Sequence, residues 1–394
     1  MNLELPDSQY SSSDVARLKN ELVAINKFEP FTEPPKFADL INEGFDSWDR
    51  VKSNFKTDFR FFEKLLFRIH FKRKADFRAF ERGNILKFLT IGYLMADDVR
   101  YFNEFLWFCK DDPDFKELRL LSLNHFKEIT GENGCHSFPL CKAEEVESFI
   151  RSSESFDAEP ISKEADKPLP KIGLIGTPSF FSAIDKELRE NGYEVETFFI
   201  PYHSDKLKRI ILKSGPIFRA YLLAKGINIK YTTLNFDHKD PRIQEILSSR
   251  KLDIGFHKLG FIIRDNIIDS FRTGLFNDHW GVLPFIRGRS TIEYSLLFGF
   301  PLGATVHKVE REVDTGAIVK IYTYEGITQS RTTIQSVKRE IRSRLRDRVV
   351  DSAKILSRIG EPRIANEKSK GLTFYSIHPT LSRYIEERIL KSSD

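Results

Sequence analysis

Lys171-Ile172-Gly173-Leu174-Ile175 runs directly into Gly176-Thr177-Pro178, and in those eight residues a strand, a turn and a helix start follow one another. The aliphatic run has the composition of a buried strand. Thr177 suits a helix N-cap and Pro178 the first helical position, where a missing N–H leaves no bond unmade. The helix then carries Phe181, Ile184 and Leu188 and stops at Asn191-Gly192, a pair suited to a left-handed helix end. The alternation repeats outward. Residues 195–200 read as a second strand, helix-like text follows to Ala224, 227–232 make a short third strand, 242–249 a helix and 252–256 a buried strand. Strands and helices alternating at this length imply an α/β domain with a mostly parallel sheet covered on both faces. The first turn, Gly173-Leu174-Ile175-Gly176, is not G-x-G-x-x-G. A dinucleotide cofactor is therefore poorly supported, although the helix start can receive an anion.

Downstream, an apolar run at 275–276 leads into Asn277-Asp278-His279. Side chains at i and i+2 of a strand share one face, so Asn277 and His279 point together. Ligands of open parallel sheets lie at the carboxyl ends of the strands, where this pair would be. Leu283-Pro284 makes a stiff bend, Arg287-Gly288 follows, 291–298 reads as helix and Gly303-Ala304-Thr305-Val306-His307 as strand; the loop 310–313 then leads to Asp314-Thr315-Gly316. Singly, each has an ordinary explanation: a hydrogen-bonded structural histidine, a turn-capping asparagine, an aspartate in a turn. An amide, an imidazole and a carboxylate together can serve an acyl-transfer oxyanion, which needs preorganised donors.

This set resembles the formyltransferase family that uses 10-formyltetrahydrofolate, whose members include methionyl-tRNA, glycinamide ribonucleotide and sugar N-formyltransferases. Asn277-Asp278-His279 resembles its N-x-H motif, Leu283-Pro284-Phe285-Ile286-Arg287-Gly288 its L-P-x-x-R-G, 303–307 its G-x-T-x-H, Asp314-Thr315-Gly316 its D-T-G, and Gly176-Thr177-Pro178-Ser179-Phe180 its opening G-T-P-x-F. The likeness covers 171–316 and extends toward 355. It implies a Rossmann-like catalytic domain with 10-formyltetrahydrofolate as formyl donor, no metal, and Asn277, His279 and Asp314 as the catalytic trio. In that reading Asn277 and a protonated His279 donate to the oxyanion, while Asp314 orients His279 or accepts the amine's proton. The resemblance also implies a donor pocket lined by Gly260, Phe261, Ile262, Ile263, Leu283, Pro284 and the Glu310, Arg311, Glu312, Val313 loop. Asp278, Trp280-Gly281-Val282 and Ser290 depart from the family's usual residues beside the trio, toward the acceptor.

The remaining chain divides into a polar arm at 1–36, an aromatic, helical domain at 37–150, a serine-, acid- and proline-rich linker at 151–170, the catalytic domain at 171–355 and an extension at 356–394. Of 35 phenylalanines, 21 precede residue 171, a density that favours a packed domain over a flexible lead-in. Val99, Phe102, Phe105, Leu106 and Cys109 recur at helical spacing, with Asp97-Asp98 placed to cap them. Basic residues from Arg68 to Arg78 make either a surface for a membrane or an acidic partner, or the polar faces of a helical bundle. Cys135-His136 with Cys141 lacks the paired spacing of a zinc site, and three cysteines without a disulfide framework suit a reducing compartment. With 62 basic and 57 acidic residues, the chain suits anionic small molecules without demanding nucleic acid. No leader and no stretch of ~20 apolar residues is visible, so the expected location is cytoplasmic. The tail after 357 is too short for a separate tRNA-binding β-domain, so the acceptor expected is the amine of a nucleotide-linked amino sugar. Other amines, donor hydrolysis and a non-catalytic folate-binding scaffold are the alternatives. Residues 1–170 leave open an oligomer or partner contact.

Overall fold

The computed structural model describes residues 66, 69–70, 89, 93, 98–109, 123, 126, 130, 135–154, 168–201, 215–227, 230–234, 240–330 and 333–390. The chain forms two units, one of Met1–Lys142, Leu296–Gly299 and Thr373–Asp394, the other of Ala143–Ser295 and Phe300–Leu372. This partition differs from the expected one. Helix Ala143–Glu154 belongs with the α/β unit, its Phe149 ring set edge-on to Phe285, and the α/β unit runs on to Leu372 rather than stopping at 355.

Among the described residues up to Ile359, the α-helices and strands in chain order are α1 (Val99–Cys109), α2 (Ala143–Glu154), β1 (Ile172–Ile175), α3 (Pro178–Glu190), β2 (Val195–Phe199), α4 (Gly215–Ala224), β3 (Thr232–Thr233), α5 (Arg242–Ser249), β4 (Ile254–His257), α6 (Asp265–Ile268), β5 (Gly274–His279), β6 (Ile286–Gly288), α7 (Thr291–Leu297), β7 (Gly303–Lys308), β8 (Ile318–Thr323), α8 (Ile334–Ser343) and α9 (Leu345–Ile359). Among the described residues the main sheet has the order β3-β2-β1-β4-β5-β7-β8. The first five strands are parallel, and β7 and β8 join antiparallel at one end.

Parity along the strands sorts the core into two layers. Ile172, Leu174, Ile254, Phe256, Phe276 and Val306 pack under α3 and α9 with Phe181, Leu188, Val349 and Ala353. Ile175, Phe198 and Leu275 face the other way, toward Ile243, Leu247, Ile267 and Phe271. Both faces are closed, which is why these strands read as continuous apolar runs. Thr177 does stand at the N-cap of α3 with Pro178 behind it, but its side chain makes no cap bond; Asn191 ends the helix and Gly192 takes φ +86°.

In the other unit, α1 is buried on nearly every side, and Asp98 caps it by accepting from the Arg100 backbone N–H at 3.0 Å. The C-terminal segment packs here: Trp107 Nε1 donates to the Ser376 carbonyl at 2.9 Å, and the His378 N–H donates to Asn103 Oδ1 at 2.7 Å. The basic stretch at 68–78 lies mainly outside the described residues, although His70 is turned inward onto Glu104 at 3.2 Å. Among the described residues no helix is long and apolar enough to cross a membrane.

Candidate active site

Strand parity places the site. On β5, Leu275, Asn277 and His279 share one face, and Asp278 shares the other with Phe276. Register sets His257 of β4 beside Asn277, and Asn277 beside His307 of β7. The three side chains form one row across the carboxyl ends of β4 and β5 and the facing part of β7. Asp314 comes to this row from the β7–β8 loop. Its Oδ2 stands 3.4 Å from His279 Nδ1 and its Oδ1 3.4 Å from His307 Nε2. The Gly288 N–H donates to Oδ2 at 2.9 Å, and Asn366 holds the loop by donating to the Asp314 and Gly316 carbonyls at 3.0 and 2.9 Å. Asp314 takes φ +56°, a conformation that a non-glycine residue holds only when its surroundings enforce it. Gly316 has the matching reason: a Cβ there would collide with the Lys308 carbonyl.

The ring nitrogens can be assigned from their partners. The Ile286 carbonyl, which only accepts, lies 2.9 Å from His279 Nε2, so that nitrogen carries a proton. The Lys308 carbonyl does the same for His307 Nδ1 at 2.7 Å. In a neutral His307 the other nitrogen, Nε2, is then an acceptor, and the Asn277 amide donates to it at 3.4 Å. Burial draws the His279 imidazole below its ordinary range, against the opposing pull of Asp314. Burial alone would raise the Asp314 carboxyl, but His279, His307 and the Gly288 N–H outweigh it and hold it well below the usual carboxylate range. At neutral pH burial thus favours an uncharged His279, with its proton on Nε2 and its Nδ1 facing the Asp314 carboxylate. The sequence reading expects a protonated His279; burial, which sequence cannot weigh, opposes that charge.

Asp278 does not face an acceptor. On the opposite side of β5 it accepts from Arg348 of α9, Nε at 2.6 Å and Nη2 at 2.8 Å, and from the Trp280 indole at 2.8 Å. Both charges are buried, Asp278 4% and Arg348 2% exposed. Other motif residues also hold the frame. Thr305 Oγ1 donates to the Gly281 carbonyl at 2.7 Å and accepts from the Leu283 N–H at 3.1 Å. Arg287 is buried and donates to the Pro284 and Lys368 carbonyls at 3.1 and 3.0 Å.

Two of the loops expected to line the donor pocket lie side by side. Arg311 Nε is 3.2 Å from Asp265 Oδ1, which ties 310–313 to the segment after β4. Ile262 and Val313 on these loops are 47% and 51% exposed, apolar surface that a flat heteroaromatic would cover. Gly260 has open space around it, and Phe261 and Ile263 rest partly buried on the core beneath. Leu283 is different: it is closed off from solvent, and Pro284 is buried beside it, so these two act as core. His307, which lies in the G-x-T-x-H motif but outside the trio, and His257 join the site through strand register rather than through a signal in the sequence. His307 pairs with Asn277 only through an antiparallel register. His257 ends a strand in ordinary apolar text, without a local signal.

The family model described as "Formyl transferase" matches residues 171–345. Methionyl-tRNA formyltransferase of Prochlorococcus marinus is 27% identical over 152 residues, 38% of this chain and 44% of that protein. The enzyme of the same name from Campylobacter lari is 30% identical over 156 residues, 39% of this chain and 50% of its own. The chain thus spans about half the length of these curated relatives. Among solved structures, a sugar N-formyltransferase from a Shewanella species aligns with a TM-score of 0.39 at 15% identity, over 56% of this chain and 88% of that one.

Proposed function

We infer, from a chain whose residues 171–345 belong to the formyl transferase family, that the protein moves a formyl group from 10-formyltetrahydrofolate to a primary amine, with a nucleotide-linked amino sugar as the acceptor. The observation that carries the chemistry is the buried Asp314 carboxylate, set 3.4 Å from both His279 Nδ1 and His307 Nε2 beside Asn277. The folate supplies an activated formyl carbon when bound. As the amine bonds to that carbon, the C=O pair moves onto oxygen. Asn277 keeps one amide N–H on His307 and offers the other to the oxyanion. Asp314, directly or through water, accepts the proton the amine must lose, and His279 Nδ1 can take it up against the carboxylate. His279 returns it to the departing folate nitrogen as the C–N bond breaks. Its Nε2, committed to Ile286, takes no part in the transfer, so His279 acts through Nδ1. The apolar, exposed Ile262 and Val313 support a donor site over the two tied loops.

The acceptor rests on the resemblance alone: members acting on amino sugars vary most outside the catalytic core, and this chain carries a long segment before it. An aminoacyl-tRNA acceptor is the second reading, favoured by the names of the curated relatives. Full-length protein given isotope-labelled formyl donor should label a member of a panel of nucleotide-linked amino sugars. Label on charged methionyl-tRNA alone would replace the sugar by the second reading. Formate released without any amine would make the protein a hydrolase of the donor, and no label anywhere would remove formyl transfer itself.

A further inference from the structure

We propose that His257 is a second donor to the oxyanion, a neutral imidazole presenting Nε2–H beside Asn277. This rests on the formyl-transfer reading. It follows from counting the N–H groups that the row has to offer. Tetrahedral oxyanions are held by more than one preorganised donor, and Asn277 supplies one. His279 offers the oxyanion no N–H: Nε2 is taken by the Ile286 carbonyl at 2.9 Å, and Nδ1, 3.4 Å from Asp314, is given over to handling the amine's proton. His307 has none either, since Nδ1 is taken by the Lys308 carbonyl at 2.7 Å and Nε2 lies between Asn277 and Asp314.

His257 is the imidazole left over. Its register partner on β5 is Asn277, and residues in register on adjacent strands project to the same face. The residue is half-buried, and its Nδ1 is the buried edge, without a hydrogen-bond partner among the described residues. A proton on that nitrogen would be a stranded donor in a dry environment, so the neutral ring carries its proton on Nε2, toward the open side. Burial, helped by the neighbouring Lys258, pushes the ring's pKa down to about 3, so the ring neither charges nor competes with Asp314 for the amine's proton at working pH. A neutral imidazole is a competent donor to a developing oxyanion.

The test compares His257→Leu, similar in bulk without a donor, with His257→Gln, which restores a neutral N–H at similar reach. Steady-state transfer to the amine found with the labelled panel is measured beside calorimetric binding of tetrahydrofolate, which lacks the formyl oxygen. Loss of one such donor is expected to lower kcat by ~100-fold or more, with KM and tetrahydrofolate affinity little changed, and Gln is expected to recover most of that loss. A Leu variant with near-normal kcat overturns the assignment. So does a Gln variant that binds tetrahydrofolate normally yet is as slow as the Leu variant; if the Leu variant fails to fold, the Gln variant decides. Wild-type protein that neither binds nor transfers removes the formyl-transfer reading and this assignment with it, an outcome seen in the wild-type arm alone.

Discussion

Replacing Arg348 by methionine should be among the most destabilising single changes in the α/β unit. Methionine keeps most of the aliphatic stem and removes the guanidinium. Asp278 would lose two charge-assisted bonds, at 2.6 and 2.8 Å, and keep only the Trp280 indole at 2.8 Å. Bonds to charged groups contribute about 1.5–3 kcal/mol each, so their loss amounts to ~3–6 kcal/mol. Leaving one member of a buried pair uncompensated costs ~3–5 kcal/mol by a separate route, and the two figures agree. In a unit of this size ~1 kcal/mol moves the melting temperature about 2–4 °C. Urea unfolding of full-length Arg348→Met, Asp278→Asn and the double variant would measure the effect. The double variant should be more stable than the summed losses imply, because neutralising Asp278 removes the stranded charge. Asp278 lies between Asn277 and His279, so turnover should fall in the same variants. A loss below ~1 kcal/mol in Arg348→Met, with additive singles, would refute the view that this pair holds the end of β5.

Asn277→Ala, His279→Ala and Asp314→Ala should each lose most turnover while far-ultraviolet circular dichroism stays unchanged, and near-normal activity in any one would remove that residue from the mechanism. Because the cluster must be unprotonated to receive the amine's proton, and burial lowers His279, the rate should be flat above neutrality and fall on acidification, with its limb below the ordinary histidine value of about 6.5. A limb above pH 7 in kcat would contradict this. Stability should also weaken in acid. His257 titrates at about 3 when folded and near ~6.5 when unfolded, so its contribution is complete above ~6.5 and is lost as pH falls toward 3. At pH 5 the loss is ~2 kcal/mol, and His257→Gln should flatten the urea midpoint between pH 7 and 5 by about that amount. Gly316→Ala should cost ~1–3 kcal/mol as its new methyl meets the Lys308 carbonyl, with reduced turnover from the displaced Asp314 loop.

Much of this site is local information. The apolar run at 172–175, Pro178 at the helix start and Asn191-Gly192 at its end place β1 and α3, because hydrophobic period and turn chemistry act within a few residues. The i, i+2 spacing of Asn277 and His279 puts both on one face, because strand parity needs no knowledge of neighbours. Other features depend on distant partners. Asp278 reads as an anomaly inside a motif until α9 brings Arg348 from 70 residues away to neutralise it. His307 and His257 enter the site only because the strand order sets β4 and β7 on either side of β5. The protonation of His279 turns on burial, which belongs to the packed molecule and to no stretch of it. Sequence by itself determined which elements form and which way their side chains alternate, since those follow from short-range sterics and hydrophobic period. Tertiary structure decided which charges meet and which ring nitrogens remain free, since those depend on strand order, register and the exclusion of water.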